Sequence, residues 1–424
     1  MGCIMKYITI TYGCQMNWSD SERIAAVLED AGCKKTLNMN EADLIVVNMC
    51  SVRQSAVDRV FGMAEKLKTL KINGKKAKTI LTGCVLPADK KTFSERFDLI
   101  LDINDMPKLP KILKISASKT PRKHYLKIKP EYTTPFSGSI PIMTGCNNFC
   151  SYCVVPHTRG REISRPTKDI VCEAENLVKR GYKEIWLLGQ NVNSYKDKEI
   201  NFPKLLKRIN DIPGNFWIRF TSSHPKDFSD ELINAMRECE KVTEYLNLPV
   251  QAGDNKVLKA MNRPYSIEEY KKIVKKVRKE IPDIALSTDI IVGFPGETKT
   301  QFENSVRLFK EMKFDMGYIL KYSPRKGSAA EKLKDNVSKE EKVRREKILT
   351  DILRKTALEN NKKYIGKEID VLVEKGKSDN LWLAKTRTNK TVQFRFGNNL
   401  IGKFAKVKIT GALPWGLGGK LYEK

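Results

Sequence analysis

The sequence predicts an α/β protein in three parts: an N-terminal α/β domain on a mainly parallel sheet, a central partial (β/α)6 barrel, and a small C-terminal β-barrel. Three observations carry this prediction. Short β-like runs alternate with helix-like segments over residues 1–125, six further strand candidates separated by amphipathic helices occupy residues 133–360, and residues 361–424 are β-rich but too few for another α/β layer.

In the first part the strand candidates are YITITYG, ADLIVVN, KTILTG and FDLILD, and SDSERIAAVLEDAG is a helix. The stretch from Met106 to Ile140 is rich in Pro, Lys and Ser and reads as a connection. The second part runs through PIMTG, EIWLLG, FWIRFTS, YLNLPV, ALSTDIIVGF and MGYILKYSP; six β/α units form an open or closed barrel whose chemistry belongs at the C-terminal strand ends. The charged segment SKEEKVRREKILTDILRKTALENNKKY predicts one long exit helix, and GKEIDVLVEKG opens the small barrel.

Hydrophobic residues at 41% and charged residues at 30% exclude a disordered chain. No apolar run approaches the roughly 20 residues of a membrane span, and the start lacks a secretory layout, so the expectation is a cytoplasmic protein without a membrane partner. The formal charge, 78 − 50 = +28, attracts polyanions, although Lys spread over solvated helix faces gives the same number. From Asn361 to Lys424 the count is 14 − 5 = +9, with Trp382, Phe394, Phe396, Phe404 and Trp415 interleaved. Small basic barrels of this kind bind RNA by backbone attraction and base stacking, while each aromatic taken singly also suits a barrel core.

Ten cysteines in a chain of this size point to metal or redox chemistry rather than a disulfide framework. The sharpest signal is CNNFCSYC, which puts Cys146, Cys150 and Cys153 in a C-x3-C-x2-C spacing after a strand candidate. Three thiolates cannot cover the four irons of a 4Fe-4S cube, so one iron stays open at a barrel mouth, as catalytic metal sites require. A zinc site with His157 as fourth ligand is the plainer alternative. Cys14, Cys50 and Cys84 each follow a strand candidate, so they converge on one edge of a parallel sheet and suit a second cluster. A single cysteine in such a place is an ordinary small hydrophobe; three of three favour ligation.

The C-x3-C-x2-C spacing resembles the radical S-adenosylmethionine (SAM) signature. With TYGCQMN, NMCSVRQSA and CSYCVVPHTRGREISRP, the chain resembles the radical SAM methylthiotransferase family over essentially its whole length, closest to the tRNA-2-methylthio-N6-dimethylallyladenosine synthase branch. The resemblance implies two 4Fe-4S clusters and SAM. Cys146, Cys150 and Cys153 would hold the catalytic cluster, whose open iron chelates SAM, and Cys14, Cys50 and Cys84 the auxiliary one. It implies a TRAM-type C-terminal domain, and SAM contacts from Gly189, Gln190 and Asn191 in LLGQNVNSY and from Val292 and Gly293 in DIIVGFPGET, where the glycines also suit plain strand-to-helix turns. The implied reaction adds a methylthio group to carbon 2 of N6-isopentenyladenosine at tRNA position 37, with two SAM consumed. The cofactors carry chemistry beyond ordinary side chains. Implied partners are the tRNA anticodon stem-loop and reduced flavodoxin or ferredoxin, and a monomer is expected. Alternative substrates are threonylcarbamoyladenosine in tRNA and an aspartate of a ribosomal protein, the latter disfavoured by the +9 terminal domain. A non-catalytic iron-sulfur RNA-binding or electron-transfer protein is the reading from another class. Arg159, Arg161 and Arg165 are candidates for phosphate contacts or for surface salt bridges, and Cys3, Cys33, Cys172 and Cys239 for structural thiols. Met49 stands where the family's pattern has Thr.

Overall fold

The first four β-like runs do form a parallel sheet. The computed structural model describes residues 4–72, 77–115, 124–378 and 380–422, and the chain divides into two units. The first comprises Met1–Thr134, Met143–Arg165 and Pro324–Glu331; the second comprises Pro135–Ile142, Pro166–Ser323 and Lys332–Lys424.

In the first unit, strands β1 (Lys6–Tyr12), β2 (Lys34–Lys35), β3 (Leu44–Cys50), β4 (Lys78–Cys84) and β5 (Leu99–Ile100) are ordered β2-β1-β3-β4-β5, every pair parallel. Helices α1 (Gln15–Asp30), α2 (Gln54–Ile72) and α3 (Pro87–Phe93) make the crossovers. Every residue of β3 is buried, as expected of a central strand covered on both faces. One apolar layer joins Tyr7, Ile24, Leu28, Leu44 and Ile80, and the other joins Val47, Val60, Leu67, Leu81 and Phe93.

The Pro-rich stretch after Met106 is more than a connection. Met106, Leu109, Tyr125, Leu126 and Ile128 are buried in the first layer. Pro107 and Pro110 lie in a 3-10 helix (Ile103–Lys108) and in the first turn of the helix Leu109–Ile112, where a missing N–H at the helix start is harmless. The end of the stretch is held by Thr133, whose N–H and hydroxyl both donate to Glu22 Oε1 at 2.9 and 2.8 Å.

In the second unit six parallel strands follow one another in space as in sequence: Ser137–Pro141, Glu184–Leu188, Trp217–Phe220, Tyr245–Asn247, Ala285–Val292 and Met316–Lys321. A single parallel bridge, Ile218 to Val242, joins the two halves of three strands. Among the described residues no ladder joins the last strand to the first, so the barrel is open. The first strand ends at Pro141 rather than running through PIMTG; Met143–Thr144 instead pairs antiparallel with Ile163–Ser164 in the first unit. The exit helix spans Lys339–Lys362.

The C-terminal strands Glu368–Ser378, Leu381–Thr386, Thr391–Arg395, Phe404–Leu413 and Gly416–Leu421 close into a barrel. Phe394 is core and Trp382 and Phe396 pack against it, whereas Trp415 is 46% exposed. Phe404 packs with Phe136, Trp217 and Leu372 in a separate cluster shared with the β/α barrel of the same unit. Beside it, buried Arg219 pairs with Glu184 at 2.5 Å and donates to the carbonyls of Thr386 and Arg387 at 2.8 and 2.9 Å.

Candidate functional site

The three cysteines of the first domain lie at the C-terminal edges of adjacent strands. Cys50 and Cys84 end β3 and β4 as register partners, and Cys14 follows β1 as the N-cap of α1. Two asparagines form the floor between them. Asn17 Nδ2 donates to Asn48 Oδ1 (3.0 Å) and to the Met49 carbonyl (3.1 Å), its Oδ1 accepts from the Cys14 N–H (3.2 Å), and Asn48 Nδ2 donates to the Asn17 carbonyl (2.7 Å). Only the backbone of Met49 takes part, so its departure from Thr leaves the floor intact. Gly13 and Gly83 belong to the same design: a Cβ on Gly13 would lie 2.8 Å from Asn17 Cβ, and one on Gly83, at φ +101°, would overlap Asn48 Oδ1 and the Met49 carbonyl. Sequence reasoning missed Asn17 and Asn48. Their signal was an Asn three residues after Cys14 and two before Cys50, the first matching an N3 position that reaches back to its cap.

Cys14 is exposed as a residue, but the protein packed around its sulfur desolvates the thiol and raises it above its ordinary range. Cys50 and Cys84 titrate as a pair: Cys84 donates a hydrogen bond to Cys50 and holds it low, and that bond together with full burial pushes Cys84 up. The pair therefore carries one negative charge readily and the second reluctantly until something cationic shares the site.

Arg159 is such a cation. It ends the helix Val155–Arg159, directly after the CNNFCSYC loop, and is buried. This overturns its expected role at RNA phosphates: its Nε donates to Cys84 Sγ at 2.9 Å and its Nη2 pairs with Asp20 Oδ2 at 2.5 Å. Arg165 is also buried, at 6% exposure, which removes it from a phosphate-facing surface, and Arg161 stacks on the Phe149 ring at 4.2 Å. An Arg interleaved with cysteines looks like a surface charge in one dimension, so sequence had no signal for this.

In the loop itself, Cys150 is buried and Cys146 and Cys153 are partly exposed. The Cys153 N–H donates to the Cys150 carbonyl at 2.9 Å and the Cys146 N–H to the Gly160 carbonyl at 3.3 Å. Phe149 adopts φ +48°, a left-handed turn costing a non-glycine residue about 1 kcal/mol or more. The Ala330 N–H donates to the Ser151 carbonyl at 2.7 Å, so the segment Pro324–Glu331 covers this loop. Among the described residues no three His, Cys, Asp or Glu side chains converge on the single point one metal ion needs. Cys146, Cys150 and Cys153 are free thiols within eight residues of one loop, a donor set with the chemistry to ligate three irons of a 4Fe-4S cube and leave the fourth open.

In the second unit, the loop after Glu184–Leu188 carries Gly189, Gln190 and Asn191, and the loop after Trp217–Phe220 carries Ser223 and His224. They are joined by Val192 N–H to the Ser222 carbonyl (3.3 Å) and Asn191 Nδ2 to Asp227 (2.7 Å). Gln190 Oε1, Asn191 Oδ1, both amide atoms of Asn193, Ser223 Oγ and His224 Nε2 are buried with no hydrogen-bond partner among the described residues. Each such atom costs about 1–3 kcal/mol, and a polar ligand relieves it. This barrel mouth therefore fits a cofactor with many hydrogen-bonding groups. Burial, with Arg263 and Lys226 nearby, pushes His224 down to about 2, so it meets a ligand as neutral imidazole. Ser223 and His224 went unread because nothing in TSSHP distinguishes a ligand group from a turn. At the end of the strand Ala285–Val292 the Val292 carbonyl accepts from the Tyr322 N–H, and the Gly293 N–H donates to Glu297, at 2.9 and 2.6 Å.

Of the other cysteines, Cys33 and Cys239 are buried, Cys172 is exposed, and Cys3 lies outside the described residues.

An open six-stranded β/α barrel together with a C-x3-C-x2-C loop defines the class: residues 140–309 match the Radical SAM superfamily. Residues 6–102 match the Uncharacterized protein family UPF0004 and residues 362–422 the TRAM domain. The tRNA-2-methylthio-N(6)-dimethylallyladenosine synthase of Thermoanaerobacter sp. (strain X514) is 43% identical over 439 aligned positions, spanning 99% of this chain and 93% of that one. The synthase of the same name from Acetivibrio thermocellus is 41% identical over 436 positions, spanning 98% and 90%. Among solved structures, the cobalamin-dependent S-adenosylmethionine radical enzyme OxsB shares the fold with a TM-score of 0.53 at 10% identity, over 82% of this chain and 56% of that one. The chain belongs to the tRNA-2-methylthio-N(6)-dimethylallyladenosine synthase family. Its class brings 4Fe-4S clusters and SAM as cofactors, and no described helix is long and apolar enough to cross a membrane.

Proposed function

We propose that this chain adds a methylthio group to carbon 2 of N6-isopentenyladenosine at position 37 of tRNA. The observation that carries the reading is the presence of two separate cysteine triads in a chain that matches its relatives from end to end. When bound, the cluster on Cys146, Cys150 and Cys153 supplies the electron that cleaves SAM, and the cluster on Cys14, Cys50 and Cys84 supplies the sulfur. The chain's own residues do the rest. Asn17 and Asn48 hold the sheet edge that presents Cys14, Cys50 and Cys84, and Phe149 turns the loop that presents the other three. Gln190, Asn191, Asn193, Ser223 and His224 offer SAM neutral hydrogen-bonding groups at the barrel mouth, held in place before the ligand arrives. Gly189 leads the chain out of the strand Glu184–Leu188 into that loop. Val292 and Gly293, at the end of the strand Ala285–Val292, meet the adenine side of SAM.

The basic C-terminal barrel, with exposed Trp415, receives the tRNA anticodon stem-loop. Reduced flavodoxin or ferredoxin delivers the electrons in the cytoplasm, and the chain works as a monomer.

The test is mass spectrometry of tRNA nucleosides from a host lacking its own methylthiotransferases, with and without this protein. Appearance of 2-methylthio-isopentenyladenosine only with the protein supports the proposal. A methylthio-threonylcarbamoyl product transfers it to the rival nucleoside, and no methylthio nucleoside despite two loaded clusters ends the tRNA reading.

A further inference from the structure

Three cysteines meet on one sheet edge, Cys50 and Cys84 buried and Cys14 exposed, and as cluster ligands they would concentrate negative charge that the fold must balance. Two cations face this edge. Arg325, partly buried on the segment Pro324–Glu331, donates to Gln54 Oε1, four residues after Cys50. Arg159 is in direct contact, its side chain 2% exposed and that of its partner Asp20 fully buried. The guanidinium is divided three ways: Nη2 to Asp20 (2.5 Å), Nε to Cys84 Sγ (2.9 Å) and Nη1 to the Tyr125 hydroxyl (3.5 Å). Planar, fixed donors can serve three partners at once in this way, and a lysine ammonium on a flexible stem cannot hold the same set. Arg159 also stands six residues after Cys153, so the chain that carries one triad delivers the cation to the other.

We propose that Arg159 is the positioning residue that sets the reduction potential of the cluster held by Cys14, Cys50 and Cys84, acting through its hydrogen bond to Cys84 Sγ. Hydrogen bonds to cluster sulfurs and the net charge around them are what tune such potentials. A buried cation beside a ligand sulfur favours the reduced, more negative state and so raises the potential, and salt screens it little. Asp20 orients the guanidinium and, as an anion one step further away, opposes it. The balance of the two is built into the first unit, in which the CNNFCSYC loop and the auxiliary triad are packed together.

The inference rests on reading Cys14, Cys50 and Cys84 as cluster ligands, and the experiment separates the two. The full chain carrying Cys146→Ala, Cys150→Ala and Cys153→Ala is reconstituted anaerobically, so that iron and the electron paramagnetic resonance signal report the auxiliary site alone. Absence of iron there overturns the ligand reading itself. With iron present, potentiometric titration follows Arg159→Met, Arg159→Lys and Asp20→Asn in that background. The expected result is a potential shifted down in Arg159→Met, shifted down less in Arg159→Lys, and shifted up in Asp20→Asn. Shifts in one common direction mean that the substitutions only loosen the site, and unchanged potentials mean that Arg159 has no influence; either result overturns the proposal. If Arg159→Met does not load, the opposed signs of Arg159→Lys and Asp20→Asn still decide the matter.

Discussion

Gly83→Ala places one methyl group where the auxiliary site has no room for it. Gly83 sits at φ +101°, outside the region an L side chain adopts at ease, which costs about 1–3 kcal/mol. The new Cβ would overlap Asn48 Oδ1 and the Met49 carbonyl and stand 3.0 Å from the Met49 nitrogen. The carbonyl and nitrogen belong to a central strand and cannot withdraw without opening the ladder, so overpacking adds about 1–3 kcal/mol. The sum, about 2–6 kcal/mol, is a large part of a domain's total of about 5–15 kcal/mol. The cheapest relief is rotation of Asn48 away from Asn17, which dissolves the floor under the three thiols. The expected outcome is a chain whose first domain melts earlier and which, after anaerobic reconstitution, binds about four irons in place of about eight. Gly62→Ala is the control: it lies within α2 with nothing within 4 Å of the new methyl, and should stabilise by about 0.5–1 kcal/mol. Chemical unfolding and iron analysis check both. Gly83→Ala with full iron and an unchanged midpoint would refute the reasoning.

Further outcomes follow from other parts of the fold. Cys150→Ala should abolish SAM cleavage, whereas Cys50→Ala should leave cleavage intact and abolish sulfur insertion; equal loss of cleavage in both would sink the division of labour. His224 has a folded pKa of about 2, below its ordinary 6.5, so the unfolded chain binds the proton first. Its contribution is complete above about pH 6.5 and declines as pH falls, by about 2 kcal/mol at pH 5, and His224→Gln should flatten the stability profile in that window. In the C-terminal barrel, Phe394→Ala empties a core position and should cost about 3–5 kcal/mol of stability. Trp415→Ala should leave the melting curve alone and weaken tRNA binding by about 1–3 kcal/mol, measured by fluorescence anisotropy at fixed salt. Arg219→Met strands the buried Glu184 carboxylate and should cost about 3–5 kcal/mol, and the double variant with Glu184→Met should cost less than the sum of the two single variants, the carbonyls of Thr386 and Arg387 staying unpaired; an additive cycle would contradict the pairing.

What the sequence determined by itself was whatever local rules write into neighbouring residues. Alternating apolar runs placed β1, β3 and β4 and the later barrel strands, the charged run before Tyr364 placed the long helix, the C-x3-C-x2-C spacing named one triad, and the position of three cysteines directly after strand candidates named the other, because strand period, helix period and ligand context all act within a few residues of chain. The tertiary structure decided what depended on residues far apart. Arg159 reads as a surface cation until Asp20 and Cys84, more than seventy residues away, close around it. Met106, Leu109 and Tyr125 read as a linker until the first sheet offers them an apolar face. Phe394 and Trp415 are alike as letters, and only closure of the barrel turns one inward and leaves the other in water. The open hydrogen-bonding atoms of Ser223 and His224 are likewise a property of two loops brought together, since an unmet partner at a barrel mouth exists only once the barrel has formed.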